Sequence, residues 1–192
     1  MDKETLRQMV QKRVAALSSA ELAAADEAIN RQILATPIWR QAQSVFCYLA
    51  VGREIATLPL LEAALAAGKQ LAAPLITGPG LMEARLVSSL ALLHPDRYGI
   101  PAPAQTSLRL EPADIELVIV PGIAFARHTL LRLGRGGGYY DRWLAECQGY
   151  RLAPAREAQI IDGPFPAQKH DLAMDLLVSE QGLYLPKRGS KV

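Results

Sequence analysis

Residues 132–144, RLGRGGGYYDRWL, concentrate the residue types that bind phosphate groups. The glycines lack a Cβ, so the backbone here can take positive φ and bring its N–H groups close to an anion. The arginines can each hold phosphate oxygens with two donors at once. Asp141 falls in the first turn of a predicted helix, where a carboxylate can cap the helix or ligate a divalent metal. The stretch therefore predicts a polyphosphate cradle with a metal ligand beside it.

This stretch contains a glycine-rich loop, several charged side chains and the start of a predicted helix. The predicted nucleotide-binding set is Gly134, Arg135, Gly136, Gly137, Gly138, Tyr139 and Tyr140. Arg132, Arg135 and Arg142 supply positive charge, and a helix over residues 139–147 would direct its free N–H groups at the loop. The alternative is a glycine-rich surface turn before an amphipathic helix, but such a turn requires neither three arginines nor a carboxylate.

Two common phosphate-binding motifs do not fit this stretch. A Walker loop requires GxxxxGK[ST], and no Lys-Ser or Lys-Thr pair follows these glycines. A dinucleotide fingerprint requires GxGxxG directly after a strand, whereas Gly134 lies well beyond the apolar run at residues 117–120. The spacing therefore argues against a Rossmann oxidoreductase.

Two separated segments together resemble the signature of the 5-formyltetrahydrofolate cyclo-ligase family, also called 5,10-methenyltetrahydrofolate synthetase. That signature is an apolar strand, then PG, a small-aromatic pair, a short loop and RLGxGxGYYDxxL. This chain has LVIVPGIAF at residues 117–125 and RLGRGGGYYDRWL at residues 132–144. The resemblance extends over nearly the whole chain and implies an ATP-dependent ligase that converts 5-formyltetrahydrofolate to 5,10-methenyltetrahydrofolate.

The resemblance also implies roles for residues outside the glycine loop. KETLR places Lys3 and Arg7 four residues apart, on one side of a predicted helix, where the family binds ATP. Glu54 in EIAT matches a folate-contacting carboxylate, and Tyr98 matches an aromatic residue near the pterin pocket. Asp171 and Asp141 match two carboxylates at the Mg²⁺ site. The remaining assignments are Arg132 and Tyr140 as catalytic residues and Tyr139 as a further substrate contact.

The chemistry of the family explains why it needs such residues. A formamide oxygen is a poor leaving group, so it attacks the γ-phosphate of ATP and becomes a phosphate ester. N10 then attacks the activated carbon, and phosphate departs. Phosphoryl transfer depends mainly on positioning and on charge neutralisation, which guanidinium groups, backbone N–H groups and Mg²⁺ supply.

The sequence departs from the family pattern at two points. No Asp follows Phe125, and the segment from there to Leu131 has one extra residue. Ala102 replaces the Glu or Gln that often lies between the two prolines of the segment after Tyr98. The competing hypothesis is therefore a divergent paralogue that binds nucleotide without folate chemistry.

Composition indicates an ordinary globular protein. The chain has 192 residues, 21 basic and 19 acidic, with a formal net charge of +2, which is too balanced to indicate a nucleic-acid or membrane surface. Its two cysteines have no paired spacing, and it shows neither a secretory signal nor an apolar run of about 18 residues. We expect a cytoplasmic monomer with a small-molecule substrate.

The elements that must position these residues alternate between helix and strand. Helices are predicted over residues 2–17, 18–34, 57–67, 88–93 and 139–147, and strands over 44–50, 70–76, 81–87, 114–121, 157–162 and 176–180. This order predicts one α/β domain over residues 1–192, with a mostly parallel central sheet flanked by helices in three layers and a frayed tail at 187–192. Ligands should bind at the carboxyl edge of the strands.

Overall fold

A computed structural model describes residues 1–96, 99–168 and 171–186 of the chain. In these ranges the helices are α1 (Lys3–Ala15), α2 (Ser19–Ala35), α3 (Pro37–Gln41), α4 (Leu58–Ala66) and α5 (Tyr139–Leu144). The strands are β1 (Ser44–Cys47), β2 (Gln70–Gly78), β3 (Leu81–Leu86), β4 (His94–Pro95), β5 (Pro101–Ala102), β6 (Arg109–Leu110), β7 (Leu117–Ile119), β8 (Ala124–Ala126), β9 (Arg132–Leu133), β10 (Tyr150–Pro154), β11 (Ile160–Ile161), β12 (Leu176–Ser179) and β13 (Gly182–Tyr184). Tyr98 and the predicted frayed tail lie outside the described residues.

The first two helices begin at caps that the sequence supplies. Asp2 accepts a hydrogen bond from the Thr5 N–H at 2.8 Å, which satisfies one of the free donors of α1. Ser18 and Glu21 form a capping box at the start of α2, since each side chain accepts from the other residue's backbone N–H. Both helices therefore begin within a residue or two of their predicted positions.

An eight-stranded sheet in the order β13-β12-β10-β7-β1-β2-β3-β6 forms the centre of the molecule. The five inner strands from β12 to β2 pair in parallel, and the outer pairs are antiparallel. β1 and β2, which correspond to the strands predicted at 44–50 and 70–76, pair in parallel with Ser44 opposite Gln70. The α/β class and the mostly parallel sheet are thus confirmed.

The two faces of this sheet are covered separately, which gives three layers. Val45 and Cys47 of β1 lie in one apolar cluster with residues of α2, α3 and α4. Phe46 points to the other face, where Trp143 of α5 stacks on it with ring centroids 4.3 Å apart. The side chains of β1 alternate between the two faces because a strand has a two-residue period. Both faces are buried, which explains why Val45, Phe46 and Cys47 are all apolar.

A small sheet in the order β11-β8-β9 lies beside the main one and carries part of the glycine-rich stretch. Its apolar residues cluster with the buried face of α1, namely Leu6, Val10 and Val14. This packing brings the amino-terminal helix next to Arg132, the first residue of β9. Residues far apart in sequence therefore meet at one end of the fold.

Two predicted elements were wrong, and β10 was missed. β10 was not predicted, although it lies between β7 and β12 in the main sheet. The predicted strand at 157–162 is instead a 3₁₀ turn, Glu157–Gln159, followed by the two-residue β11 of the small sheet. Residues 88–93 contain only a 3₁₀ turn at Leu90–Leu92. In each case the segment is too short for periodicity to separate strand, helix and turn.

Other differences concern element ends. Pro37 does more than end α2, because it occupies the first turn of α3, capped by Thr36. α5 ends at Leu144, three residues before its predicted end. Among the described residues, no helix is long and apolar enough to cross a membrane.

A buried ion pair connects α2 to the segments that follow β1 and β10. The Arg156 side chain is 2 % exposed, and its Nε and Nη2 donate to the two Asp26 carboxylate oxygens at 2.8 and 2.9 Å. Its Nη1 donates to the Arg53 carbonyl at 2.9 Å, and Asp26 also accepts from the Ala56 N–H at 3.0 Å. The pair therefore fixes the loop that contains Glu54.

We expect Asp26→Ala to lower the free energy of unfolding by about 3–5 kcal/mol, because it leaves the buried Arg156 guanidinium without its counter-charge. Urea unfolding followed by circular dichroism measures this change. Glu27→Ala is the matched control, since the adjacent Glu27 forms only an exposed pair with Arg31 at 3.9 Å and should have little effect. Equal stability of the two variants would contradict the role given to Asp26.

Candidate active site

A cleft of about 720 Å³ opens where the segments after β1 and β7 meet the glycine loop. One half is charged and rich in glycine, lined by Arg7, Glu54, Arg132, Gly134, Arg135, Gly136, Gly137, Gly138, Tyr139, Tyr140 and Asp141. The other half is largely apolar, lined by Tyr48, Ile55, Pro74, Ile76, Met82, Ile100, Pro101 and Ala102. The cleft lies at the carboxyl edge of the parallel strands, as predicted for this fold class.

Arg132 lies at the base of the charged half, where its side chain is only 5 % exposed. Its Nη1 donates to the Pro121 carbonyl at 3.2 Å, and its Nη2 donates to Asp141. A Cβ at Gly122 would lie 3.0 Å from the Arg132 Cγ, and one at Gly134 would lie 2.7 Å from its Nη1. The two glycines therefore make room for the Arg132 side chain.

The glycine loop takes the backbone conformations predicted for it. Gly136 has φ +97° and Gly138 has φ +69°, which L side chains rarely adopt. Arg142 was predicted to add charge toward phosphate, but its Nη2 donates to the Gly137 carbonyl at 2.6 Å and its Nε to the Gly80 carbonyl at 2.8 Å. The helix that follows, α5, has only six residues, so its dipole adds little.

The two predicted cations of α1 have different surroundings. Arg7 lines the cleft, and its Nε donates to the Gly134 carbonyl at 2.9 Å. Lys3 lies one turn earlier in α1 and contacts both Asp171 carboxylate oxygens, at 2.8 and 3.0 Å. Neither Lys3 nor Asp171 is among the described residues that line the cleft. The structure therefore joins Arg7, but not Lys3, directly to the glycine loop.

The two predicted metal ligands are held by different cations. Asp141 lines the cleft and accepts from Arg132, whereas Asp171 accepts from Lys3 and from the Gln168 N–H. Within the described ranges, no group of three or more His, Cys, Asp or Glu side chains is arranged to hold a metal ion. Mg²⁺ commonly takes only one or two protein carboxylates beside substrate phosphates, and Asp141 suits that arrangement.

Glu54, the predicted substrate contact, forms an ion pair with Arg135 of the glycine loop at 2.6 Å. Its other carboxylate oxygen accepts from the Val51 N–H at 3.0 Å, which turns the side chain back on its own loop. The Arg135 side chain is 65 % exposed, so the pair contributes little to stability and can open at small cost. The pair connects the loop after β1 to the glycine loop.

The predicted catalytic residue Tyr140 has a buried hydroxyl with no hydrogen-bond partner in the described part of the chain. Burial raises the pKa of this hydroxyl well above its usual value, so it stays protonated and able to donate. The Arg132 guanidinium lies 5.7 Å from the centre of its ring. Tyr139 also lines the cleft, and its ring lies against Gly137.

Sequence reasoning missed the residues that hold the site in place. Gln159 lines the cleft, and its amide donates to the carbonyls of Gly122 and Ile123 at 3.0 and 3.2 Å. Its carbonyl oxygen accepts from the Arg156 N–H at 3.0 Å. Polar residues within and directly before the strand predicted at 157–162 were the only sequence signal for this role, because their partners lie far away in sequence.

The departure after Phe125 lies within a buried strand. Ala126 is 4 % exposed in β8, and its N–H donates to the Leu131 carbonyl at 2.9 Å. Leu130, near the extra residue, has φ +53°. His128 is exposed and faces Asp162 at 3.7 Å, and it does not line the cleft. Ala102, the other departure, is buried at the cleft wall.

The architecture and the cleft define a single-domain α/β protein with an arginine- and glycine-lined site joined to an apolar site. Residues 1–180 match the model of the 5-formyltetrahydrofolate cyclo-ligase family. The chain belongs to this family, as its sequence motifs predicted. It is accordingly an enzyme of the ligase class.

Individual relatives and solved structures agree with the family match. The chain is 28 % identical over 164 residues to a probable 5-formyltetrahydrofolate cyclo-ligase of Schizosaccharomyces pombe, covering 83 % of this chain and 80 % of that one. It is 30 % identical over 208 residues to the mitochondrial 5-formyltetrahydrofolate cyclo-ligase of Arabidopsis thaliana, covering 94 % and 75 %. The NMR structure of Aquifex aeolicus 5,10-methenyltetrahydrofolate synthetase superposes with a TM-score of 0.85 at 27 % identity, covering 100 % and 96 %.

We expect Tyr140→Phe to raise the free energy of unfolding by about 1 kcal/mol or more, because folding removes water from this hydroxyl and the described residues give it no hydrogen-bond partner in return. Tyr48→Phe is the matched comparison, since the buried Tyr48 hydroxyl donates to the Ile55 carbonyl at 2.9 Å. Its loss should cost about 1 kcal/mol. Thermal and urea unfolding of both variants measure the difference. An equal loss in Tyr140→Phe would show that its hydroxyl already has a partner.

Proposed function

We propose that this chain converts 5-formyltetrahydrofolate to 5,10-methenyltetrahydrofolate, using ATP and releasing ADP and phosphate. The single observation that carries the proposal is the cleft itself, in which a buried arginine and a glycine loop face an apolar wall. The family match over residues 1–180 favours this activity over that of a non-catalytic nucleotide-binding paralogue. The relatives named above are cyclo-ligases by name.

The charged half of the cleft supports the ATP part of the proposal. Arg132 is held by a backbone carbonyl and by Asp141, so its position is fixed before any ligand arrives. Donors that are already oriented in a partly dry site stabilise developing charge without a reorganisation cost. Arg135 differs, because it can exchange the carboxylate of Glu54 for a phosphate oxygen at small cost. Arg132 would then hold the transferring phosphoryl group, and Arg7 and Arg135 the rest of the triphosphate.

The apolar half supports a second substrate with a flat ring system. Its wall is formed by Ile55, Ile76, Met82 and Ile100, with Tyr48 beneath. Small-molecule sites usually have volumes of about 300–1,000 Å³, so a cleft of 720 Å³ is large enough for parts of two ligands. Glu54 would supply the polar contact for the folate once Arg135 turns toward phosphate, and Tyr139 a stacking surface.

The proposed reaction has two steps, which are those that the family resemblance implies. The formyl oxygen attacks the γ-phosphorus of ATP, and the bond to the bridging oxygen breaks and releases ADP. N10 then attacks the formyl carbon and loses its proton, and the carbon–oxygen bond breaks to release phosphate. Arg132 and the Tyr140 hydroxyl would stabilise the charge that develops on the transferred group.

Asp141 is the described residue best suited to hold Mg²⁺ with phosphate oxygens, because it lines the cleft beside Arg132. The ion would neutralise phosphate charge when bound. Asp171 remains a predicted second ligand, whose link to the cleft runs through Lys3 of α1. Lys3 itself remains a predicted ATP contact.

The proposed activity is tested by mixing the purified full-length chain with 5-formyltetrahydrofolate, ATP and Mg²⁺. We expect the absorbance of methenyltetrahydrofolate to rise, with one ADP and one phosphate formed per product, because one phosphoryl transfer activates each formyl group. Omitting ATP should abolish the signal. ATP binding with no methenyltetrahydrofolate would overturn the proposal in favour of the paralogue.

We expect Arg132→Ala to reduce turnover on the order of 10²-fold or more, because it removes a fixed guanidinium from the transferring phosphoryl group. The same absorbance assay measures the rate, and thermal unfolding checks that the variant is folded. Arg109→Ala is the control, since Arg109 forms ion pairs with Glu83 and Glu111 at the sheet edge. Wild-type kinetics in Arg132→Ala would refute the role of Arg132.

A further inference from the structure

Arg142 forms a bridge between the two halves of the cleft. Its Nη2 donates to the carbonyl of Gly137 in the glycine loop at 2.6 Å. Its Nε donates to the carbonyl of Gly80, in the turn between β2 and β3, at 2.8 Å. These two carbonyls lie 57 positions apart in the sequence, and the planar guanidinium joins them directly.

The space around this guanidinium is shaped by two glycines. A Cβ at Gly80 would lie 2.0 Å from the Arg142 Nη2, and one at Gly138 would lie 2.7 Å from its Nη1. Both glycines also have left-handed backbones, with φ +70° and φ +69°. A side chain at either position would therefore displace the guanidinium from its carbonyls.

The two elements that Arg142 joins line different halves of the cleft. The glycine loop lines the charged half, and Arg132 and Asp141 flank it in sequence. The β2–β3 hairpin contributes Ile76 and Met82 to the apolar wall. The distance between the halves therefore depends on how the loop is attached to the hairpin turn.

We propose that Arg142 is a positioning residue that sets the spacing between the phosphate-binding half and the apolar half of the cleft. The inference rests on the proposed function, in which a group on one ligand must attack the γ-phosphorus of the other. Near-attack geometry requires the reacting atoms to lie about 3–3.5 Å apart, and a misplacement of about 1 Å can cost 10²-fold in rate. Arg142 acts through the backbone of two elements and does not contact phosphate.

The first test is Arg142→Met, which keeps an unbranched apolar stem and removes the donors. We expect kcat to fall by about 10- to 100-fold, with KM changing by no more than about threefold for either substrate. In this variant each half of the cleft still binds its own ligand, and only the relative placement of the two ligands changes. A large rise in KM or Kd for ATP with kcat unchanged would overturn the proposal, because it would make Arg142 a direct phosphate contact.

The second test displaces the Arg142 guanidinium by a substitution at Gly80, which lies outside the glycine-rich stretch. Gly80→Ala should reduce kcat as Arg142→Met does, and the double variant should be no worse than either single variant, because both break one bridge. Gly68→Ala is the matched control. Gly68 has φ +69°, and a Cβ added there would have no neighbour within 4 Å, so the variant bears the same backbone strain without touching Arg142. Additive effects, or equal effects of Gly80→Ala and Gly68→Ala, would overturn the proposal.

Amide hydrogen exchange separates this inference from the proposed function, since it requires no turnover. In Arg142→Met and Gly80→Ala, but not in Gly68→Ala, we expect faster exchange in peptides that cover the hairpin turn and residues 136–138. Absence of turnover in the wild-type chain would refute the proposed function, and this exchange pattern would still decide whether Arg142 joins the two elements. Unchanged exchange in both bridge variants would refute the positioning role.

Discussion

The buried pair of Asp26 and Arg156 is the interaction on which the cleft depends. It connects α2, the loop after β1 and the segment after β10, and it is almost completely removed from water. A buried ion pair adds little net stability over an apolar core, but removing one partner is costly. The effect of the pair is therefore to hold α2, the loop after β1 and the segment after β10 in one arrangement. Arg156 also donates to the Glu54 backbone carbonyl and, through its own N–H, to the Gln159 side chain, so two residues that line the cleft are tied to this pair.

The arginines in and next to the cleft differ in how firmly the fold holds them. Arg132 is buried and bonded to a carbonyl and a carboxylate, Arg142 is bonded to two carbonyls, and Arg135 is exposed in a single ion pair. Such a gradient suits the phosphoryl transfer proposed for this site. Fixed donors define where charge develops, whereas an exposed arginine can change partners as ligands enter and leave.

The motifs singled out segments that lie close together in the structure, and the roles of their residues stay predictions, whereas periodicity missed part of the fold. The glycine loop, Arg7 and Glu54 each belong to a segment with a clear local sequence signature, and all three line one cleft. Strand β10, which was not predicted, has five residues, including Pro154. It starts after Gly149, and a Cβ added at that glycine would lie 2.1 Å from the Ile115 carbonyl oxygen. Its strand conformation comes from pairing with β7 and β12 rather than from its own residues.

The sequence by itself determined the fold class, the helix caps and the chemistry of the glycine-rich stretch, because these depend on residues close together in the chain. Only the tertiary structure decided which acceptor each arginine meets. Arg142 carries the same charge as Arg132, yet it holds two backbone carbonyls, one of them in a distant hairpin. The sequence specifies which donors are available, whereas their partners depend on long-range packing that brings β3, α1 and α5 to one edge of the sheet.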